Sequence, residues 1–373
     1  MTELVSPSGF AQNLQRQHIT RQARLPIVRA AAARVLRPRT RHVLYGPAVF
    51  ENPYQTLLYS GFSGHVSATG THRAPLYRQL GLADVYHLHW DDFGLRAATE
   101  GRPIWQNALT DFKARGGRLV WTVHNAAPHE GIEADAMTIF HAGRETLCKM
   151  ADLIHVHSTA AAEIIMNRYG APADRILVLP HPSYAGWYSD TPPPVRPEGQ
   201  ARFLAFGTFR NNKGLSLIVD AFQCASLEGP IGGLHVAGRG ADQIDSDLVT
   251  QCAIQITPGF VPDDTVADLF EAAHFAVFGF SEILTSGSLL LALTFGTIPI
   301  VPDFPQLREV LTGDLQEFLF QPGSADDLAR VIVKATELSQ QERASLSAAA
   351  AAQAETHHPL CVSEALEAAI AEL

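Results

Sequence analysis

The chain is poor in cysteine. Cys148, Cys224, Cys252 and Cys361 stand far apart among 373 residues and form no Cys-x-x-Cys pair. That spacing excludes a disulfide framework and a cysteine-built zinc site, and it fits thiols in a reducing compartment. Long apolar runs are missing too. The longest, Leu289 to Pro302, is interrupted by Gly296 and Pro299, so no membrane-spanning helix of about 18 residues is expected. The opening Met1-Thr2-Glu3-Leu4 has no basic region followed by an apolar one. A secretory signal is therefore not expected, and the cytoplasm is the expected location. Charge is sparse at 18%, and its balance is −10. An acidic chain offers no general electrostatic footprint for nucleic acid.

What is present is core-forming material, 46% of it hydrophobic. At this length it fits two domains of roughly 150–200 residues each. Residues 1–41 read as a basic N-terminal arm. Between Arg16 and Arg41 there are eight arginines and no acidic residue, interleaved with Leu25, Ile27, Val28, Ala31, Val35 and Leu36. Such a stretch suits an anionic membrane surface, where each cation contributes about 1 kcal/mol. Pro26 and Pro38 interrupt any long helix there, and a solvated arm fits the same residues.

From residue 42 short apolar runs alternate with longer helical stretches, the signature of parallel βαβ units. Strands are expected at His42–Tyr45, Val85–His89, Leu119–His124, Leu153–His157 and Ile176–Leu179. Helices are expected around Tyr54–Ser60, Arg96–Arg115, Ala134–Met150 and Thr159–Tyr169. Four prolines within Ser189–Gly199 read as a linker between domains. The alternation then restarts, with strands expected at Phe203–Phe206, Leu234–Ala237, Ala253–Ile256, Ala276–Phe278 and Ile298–Val301. Helices are expected at Leu215–Cys224, Thr265–Ala273, Ser288–Thr294 and Asp326–Leu338, over residues 343–354, and at Val362–Leu373. The expected division is a domain over 42–188, a linker over 189–199, a domain over 200–355 and a C-terminal helix over 356–373. Both domains are α/β and Rossmann-like, facing an interdomain cleft.

Two constellations in the second half point to an anionic ligand. Gly207-Thr208-Phe209-Arg210-Asn211-Asn212-Lys213-Gly214 follows a strand and opens a helix. Glycine permits close backbone approach, and Arg210 and Lys213 are expected at the helix N-terminus, where amides and dipole favour phosphate. The second is Glu282 followed by Thr285-Ser286-Gly287-Ser288 and an apolar helix. Ser286 or Thr285 can cap that helix, and Glu282 suits ribose or sugar hydroxyls. Either loop alone is as well explained by an ordinary capped helix; two in one half weigh more.

In the first half, His87-Leu88-His89-Trp90-Asp91-Asp92 ends one strand and Thr122-Val123-His124-Asn125 the next. His87 and His89 share a face. His89 with His124 lacks a completing carboxylate or cysteine, so no metal is expected. His155 and His157 read as buried and satisfied. Asp91, Asp92 and Glu130 stand past strand ends, where an exposed carboxylate can take a proton. Asp245-Ser246-Asp247 lies in a polar loop and reads as surface.

Taken in order, these stretches resemble the GT-B glycosyltransferases, specifically the xanthan-type polyprenyl-diphosphate-oligosaccharide β-1,4-mannosyltransferases. The likeness runs from about residue 52 to 302, through Asn52-Pro53-Tyr54, His87–Trp90, His124-Asn125 with Ala127–Glu130, His181–Tyr188, Phe206–Gly214 and Ser286–Leu293. It implies donor binding by Gly207, Arg210, Lys213, Glu282, Ser286, Gly287 and Ser288. It implies an acceptor near Asn52, Tyr54, His89 and Trp90, with Asp92, Glu130 and His124 at the reacting groups. The implied reaction moves mannose from GDP-mannose to a lipid-linked oligosaccharide, with inversion and no metal, in exopolysaccharide synthesis. The basic arm would help reach the membrane. Retaining GT-B relatives carry two glutamates seven apart; here Glu282 holds the first place and Leu289 the second, which favours inversion. A UDP-sugar donor, a non-catalytic sugar-binding partner and a sugar-nucleotide epimerase stay open.

Overall fold

Strands that read as nearly continuous apolar runs must be covered on both faces, which is the environment of a parallel sheet. The computed structural model bears this out in both halves. It describes residues 10–12, 14–17, 41–49, 52–68, 80–92, 95, 104–126, 134–188, 198–229, 231–245, 249–250, 252 and 254–373. The chain divides into two compact units. The N-terminal unit comprises Gln12–Pro182 with Pro359–Leu373, and the C-terminal unit Ser183–His358 with Met1–Ala11.

The N-terminal unit holds strands β1 (His42–Gly46), β2 (His65–Ala68), β3 (Val85–Leu88), β4 (Arg118–Thr122), β5 (Leu153–Val156) and β6 (Ile176–Val178). They form one sheet in the order β2-β1-β3-β4-β5-β6, and every pairing is parallel. Its helices are α1 (Tyr54–Leu58), α2 (Ile104–Ala114), α3 (Ala134–Met150) and α4 (Thr159–Tyr169). Ser158 caps α4 by accepting from the Ala161 amide, and Gly170 ends it in the left-handed conformation, the two terminal devices a helix needs.

The C-terminal unit repeats the plan with β7 (Phe203–Phe206), β8 (Leu234–Gly238), β9 (Ile254–Pro258), β10 (Phe275–Val277), β11 (Ile298–Pro302) and β12 (Leu319–Phe320). Their order is β12-β11-β10-β7-β8-β9, again all parallel. Helices α5 (Leu215–Glu228), α6 (Asp263–Ala272), α7 (Gly287–Thr294), α8 (Pro305–Val310), α9 (Ala325–Glu337) and α10 (Gln340–Glu355) connect or cover them. A reciprocal Ser339–Glu342 capping box starts α10. Phe203 stacks on Phe275 and meets Phe222 edge-on, and Phe270 stacks on Phe295; these rings fill the core beside the sheet.

The last helix, α11 (Pro359–Ala371), belongs to the N-terminal unit. Val362, Leu366 and Ile370, four apart and so on one face, enter the core with Val43, Tyr45, Tyr54 and Val85. The Glu367 carboxylate accepts from the Ser63 amide and hydroxyl and the Gly64 amide, and Ser363 Oγ accepts from the Gly61 amide.

The expected strands are present, each within a few residues of its expected ends. Two edge strands, β2 and β12, were not expected, because four and two residues are too short for a periodic signal. The prolines of the expected linker, with residues 189–197, and the basic stretch 18–40 lie outside the described residues.

Candidate active site

Two groups of functional side chains form, one in each unit, and both gather where the parallel strands present their carboxyl ends. Open α/β sheets bind ligands there.

In the C-terminal unit the chain leaves β7 through Gly207, whose φ of 137° suits glycine alone. Arg210 precedes a 3-10 turn over Asn211–Lys213, and Gly214, left-handed at φ 59°, starts α5. Arg210 and Lys213, expected at the helix N-terminus, lie in the turn that leads directly into it. The reason is a close backbone approach. A Cβ on Gly214 would stand 1.9 Å from the Gly279 carbonyl oxygen, and one on Gly279 would stand 2.5 Å from the Gly214 oxygen. The Ser281 amide donates to the Asn212 carbonyl at 3.1 Å, and the Lys213 ammonium lies 4.6 Å from the centre of the Phe280 ring. The two loop constellations, some seventy residues apart in sequence, are thus stitched together by backbone.

Arg210 is exposed and Lys213 half-buried. Burial, and secondarily the Arg210 charge, lower the Lys213 ammonium to about 8, so an arriving anion would relieve an unfavourable placement. Ser286 caps α7 by accepting from the Leu289 amide at 3.2 Å, and its Oγ is 3.2 Å from Ser288 Oγ. Gly287 opens the helix, and Glu282 is exposed in the loop before it. Leu289 is buried in the core, so no second glutamate could replace it without a charge in apolar surroundings.

In the N-terminal unit the carboxyl ends of β3, β4, β5 and β6 bring six imidazoles together: His87, His89, His124, His155, His157 and His181, all buried. Tyr59 Oη lies 2.8 Å from His87 Nδ1 and 2.9 Å from His89 Nε2. Thr122 Oγ1 bridges His87 Nε2 at 2.6 Å and His155 Nδ1 at 2.9 Å. His89 Nδ1 is 3.2 Å from His124 Nε2. Tyr54 Oη meets His157 Nε2 at 3.1 Å. Burial, helped by neighbouring imidazoles, pushes His87, His89, His124 and His157 well below the usual histidine range, and burial alone brings His155 to about 4. These five imidazoles are neutral at pH 7. His155 and His157 are buried and bonded, as read from the sequence.

Trp90, half-buried just past β3, stacks on His124 with centroids 4.5 Å apart and planes 11° from parallel. Its φ is 40°; a bulky residue held there costs on the order of 1–3 kcal/mol, and such strain gathers at functional sites. Asn52 stands two residues before α1, its side chain accepting from the Tyr54 amide. Tyr54 and His89, expected to meet an acceptor, are instead fully buried, with hydrogen bonds inside the cluster.

Asp91 departs from the expected exposed carboxylate. It is buried and paired with Arg144 on α3, Nε to Oδ2 at 2.7 Å and a second nitrogen to Oδ1 at 3.2 Å. Arg144 also donates to the Asn125 and Ala126 carbonyls, so this ion pair pins the loop after β4 and is unavailable as a base. Arg144 was missed from the sequence, although one arginine on the buried helix face of Phe140, Leu147 and Cys148 is a signal of a paired charge. Asp92 is only 9% exposed, so it too is more enclosed than expected. Glu130 and residues 127–129, and Ser246–Asp247 of the acidic loop, lie outside the described residues. Among the described residues no three histidine, cysteine or carboxylate side chains are arranged to hold a metal, and no helix is long and apolar enough to cross a membrane.

Residues 200–337 match the family of glycosyl transferases group 1. No curated protein matches the sequence at a significant level. The fold is similar to that of Anabaena HepE in complex with UDP-glucose, at 14% identity and a TM-score of 0.64, covering 94% of this chain and 96% of that one. It is also similar to a glycosyltransferase from Rickettsia africae, at 12% identity and a TM-score of 0.67, covering 89% and 98%. A third similar structure is sucrose-phosphate synthase from Thermosynechococcus elongatus, at 14% identity and a TM-score of 0.64, covering 90% and 99%. With a group 1 domain in its C-terminal unit and two parallel-sheet α/β units, the chain is a glycosyltransferase of the GT-B fold.

Proposed function

We propose that the C-terminal unit holds the diphosphate of a nucleotide-sugar and that the sugar passes to a hydroxyl received by the N-terminal unit. The observation that carries this reading is the stitched pair of loops, Arg210 and Lys213 beside the turn of Gly279–Ser281. Two cations supply fixed charge for the diphosphate as it leaves, the electrostatic term such chemistry needs most. Gly207, Glu282, Ser286, Gly287 and Ser288 complete the donor side in this reading. Asn52 and Trp90 receive the acceptor in this reading, Tyr54 and His89 support that side from the buried cluster, and the proton acceptor comes from Asp92, Glu130 and His124. No metal and no further cofactor is required.

In its finer form the donor is GDP-mannose and the acceptor a polyprenyl-diphosphate-linked oligosaccharide in exopolysaccharide synthesis, transferred with inversion. The chain would work in the cytoplasm, with residues 16–41 at the inner face of the membrane. Leu289 in place of a second glutamate supports inversion. A second reading, with a UDP-sugar as donor, is favoured by the UDP-glucose bound to the similar Anabaena HepE. Nucleotide release from GDP-mannose, UDP-glucose and UDP-glucuronate, with and without a membrane extract, separates the two. Proton NMR of the product reads the stereochemistry, and retained anomeric configuration would sink the inverting assignment.

A further inference from the structure

Four imidazoles of the N-terminal unit, those of His155, His87, His89 and His124, are joined by a chain of hydrogen bonds with one fixed end, and that end determines the position of every proton in it. A carbonyl only accepts, so the 3.1 Å contact between His155 Nε2 and the Leu179 oxygen requires a proton on His155 Nε2. A neutral imidazole has one N–H, so His155 Nδ1 is bare and accepts from the Thr122 hydroxyl. Thr122 Oγ1, having donated, accepts from His87 Nε2. His87 Nδ1 is then bare and accepts from the Tyr59 hydroxyl. Tyr59 Oη accepts in turn from His89 Nε2, which leaves His89 Nδ1 to accept from His124 Nε2. The last bare nitrogen is His124 Nδ1. The same logic assigns the neighbour: His157 Nδ1 donates to the Leu179 oxygen, so Tyr54 donates to His157 Nε2.

We propose that Tyr59 is a positioning residue which, through His89, keeps the Nδ1 of His124 unprotonated as a proton acceptor at the carboxyl end of β4. Tyr59 is the one link that turns a donor at His89 into an acceptor at His87, so its hydroxyl couples the anchored half of the chain to His124. This inference rests on the transfer reading above for its use. In that reaction the acceptor oxygen bonds to the anomeric carbon and the bond from that carbon to the diphosphate breaks. The nucleoside diphosphate leaves with the electron pair, and the hydroxyl proton goes to His124 Nδ1, which later releases it to water. His124 faces Tyr54, Trp90, His89 and His157 and has His181, His155 and Arg144 as further titratable or charged neighbours, the last paired with Asp91. Burial first, and these neighbours after it, keep the imidazole neutral at pH 7.

The test is two-bond proton–nitrogen NMR of the full chain labelled on histidine nitrogen, with His124 assigned by loss of its signals in His124→Gln. The expected spectrum shows His87, His89, His124 and His155 carrying the proton on Nε2, and His157 carrying it on Nδ1. In Tyr59→Phe, His89 and His124 are expected to become mixtures of both tautomers while His155 does not change. The kcat for nucleotide release is expected to fall tenfold or more, with the donor KM within about twofold, since positioned general bases contribute roughly 100- to 10,000-fold. A His124 proton on Nδ1 in the unmodified protein overturns the proposal, as does a Tyr59→Phe spectrum identical to it. Should Tyr59→Phe not fold, Thr122→Val cuts the chain between His155 and His87, and His87, His89 and His124 are then expected to become mixtures while His155, still held by Leu179, does not change. If no donor is turned over, the transfer reading fails by itself, and the tautomers still decide the chain.

Discussion

Lys213 carries a charge that its surroundings make expensive. Burial and Arg210 lower its ammonium to about 8, so the free protein loses this charge as pH rises through that value. An anionic donor needs the charged form, and donor affinity is therefore expected to fall between pH 7 and 9, measured by calorimetry with the nucleotide. Lys213→Met is expected to weaken nucleotide binding at least tenfold at pH 7 and to remove that slope; an unchanged affinity would count against the donor assignment. Arg144 poses the converse case, a cation fully paired in the interior. Removing it leaves Asp91 buried without its partner, so Arg144→Met should cost about 3–5 kcal/mol in urea unfolding. His89 and His124 show how far single residues were legible. Their shared sheet end follows from strand periodicity, but their bond to each other depends on the register of β3 against β4, which no local pattern encodes.

At the scale of elements, the turn between β7 and α5 depends on two glycines from different segments. Gly214 was legible as a glycine before a helix, and Gly279 was not, because its need arises only where β10 runs beside β7. Gly214→Ala meets both the 1.9 Å clash with the Gly279 oxygen and a positive φ. It should lower stability by more than the ~1 kcal/mol typical of a left-handed glycine and abolish the thermal shift given by nucleotide. Ser286→Ala is milder, with a lost cap worth about 1 kcal/mol, and a melting curve distinguishes the two. Helices α3 and α4 were read to the residue because their apolar faces, and for α4 its caps, are local signals. Strands β2 and β12 were not, because edge strands this short are specified by the neighbour they pair with. Leu366 makes the same point at the chain end. Leu366→Ala, in the sequence a change in the last helix, is expected to destabilise the N-terminal unit by about 2–5 kcal/mol, read by hydrogen exchange in β1 and β3.

For the molecule as a whole, acid is the telling perturbation. The buried imidazoles of the N-terminal unit have folded values well below the ordinary 6.5, so the unfolded chain binds protons first as pH falls. Their contribution is complete above about pH 6.5 and is lost below it, each histidine at about 1.4 kcal/mol per pH unit. The N-terminal unit is expected to unfold between pH 6 and 4.5 while the C-terminal unit persists, followed by near-ultraviolet circular dichroism and exchange of β7–β11 amides. Equal acid sensitivity of both units would contradict the neutral cluster. The sequence by itself determined two parallel α/β halves, their helices and the glycine- and cation-bearing loop after β7, because periodicity, caps and strand-to-helix turns are written over a few adjacent residues. Tertiary structure alone decided that Asp91 belongs to Arg144, that Gly214 needs Gly279, that α11 completes the N-terminal core, and that one carbonyl, Leu179, orders the protons of five histidines. Each of these is a contact between segments distant in the chain, and its energy exists only once the sheets have brought them together.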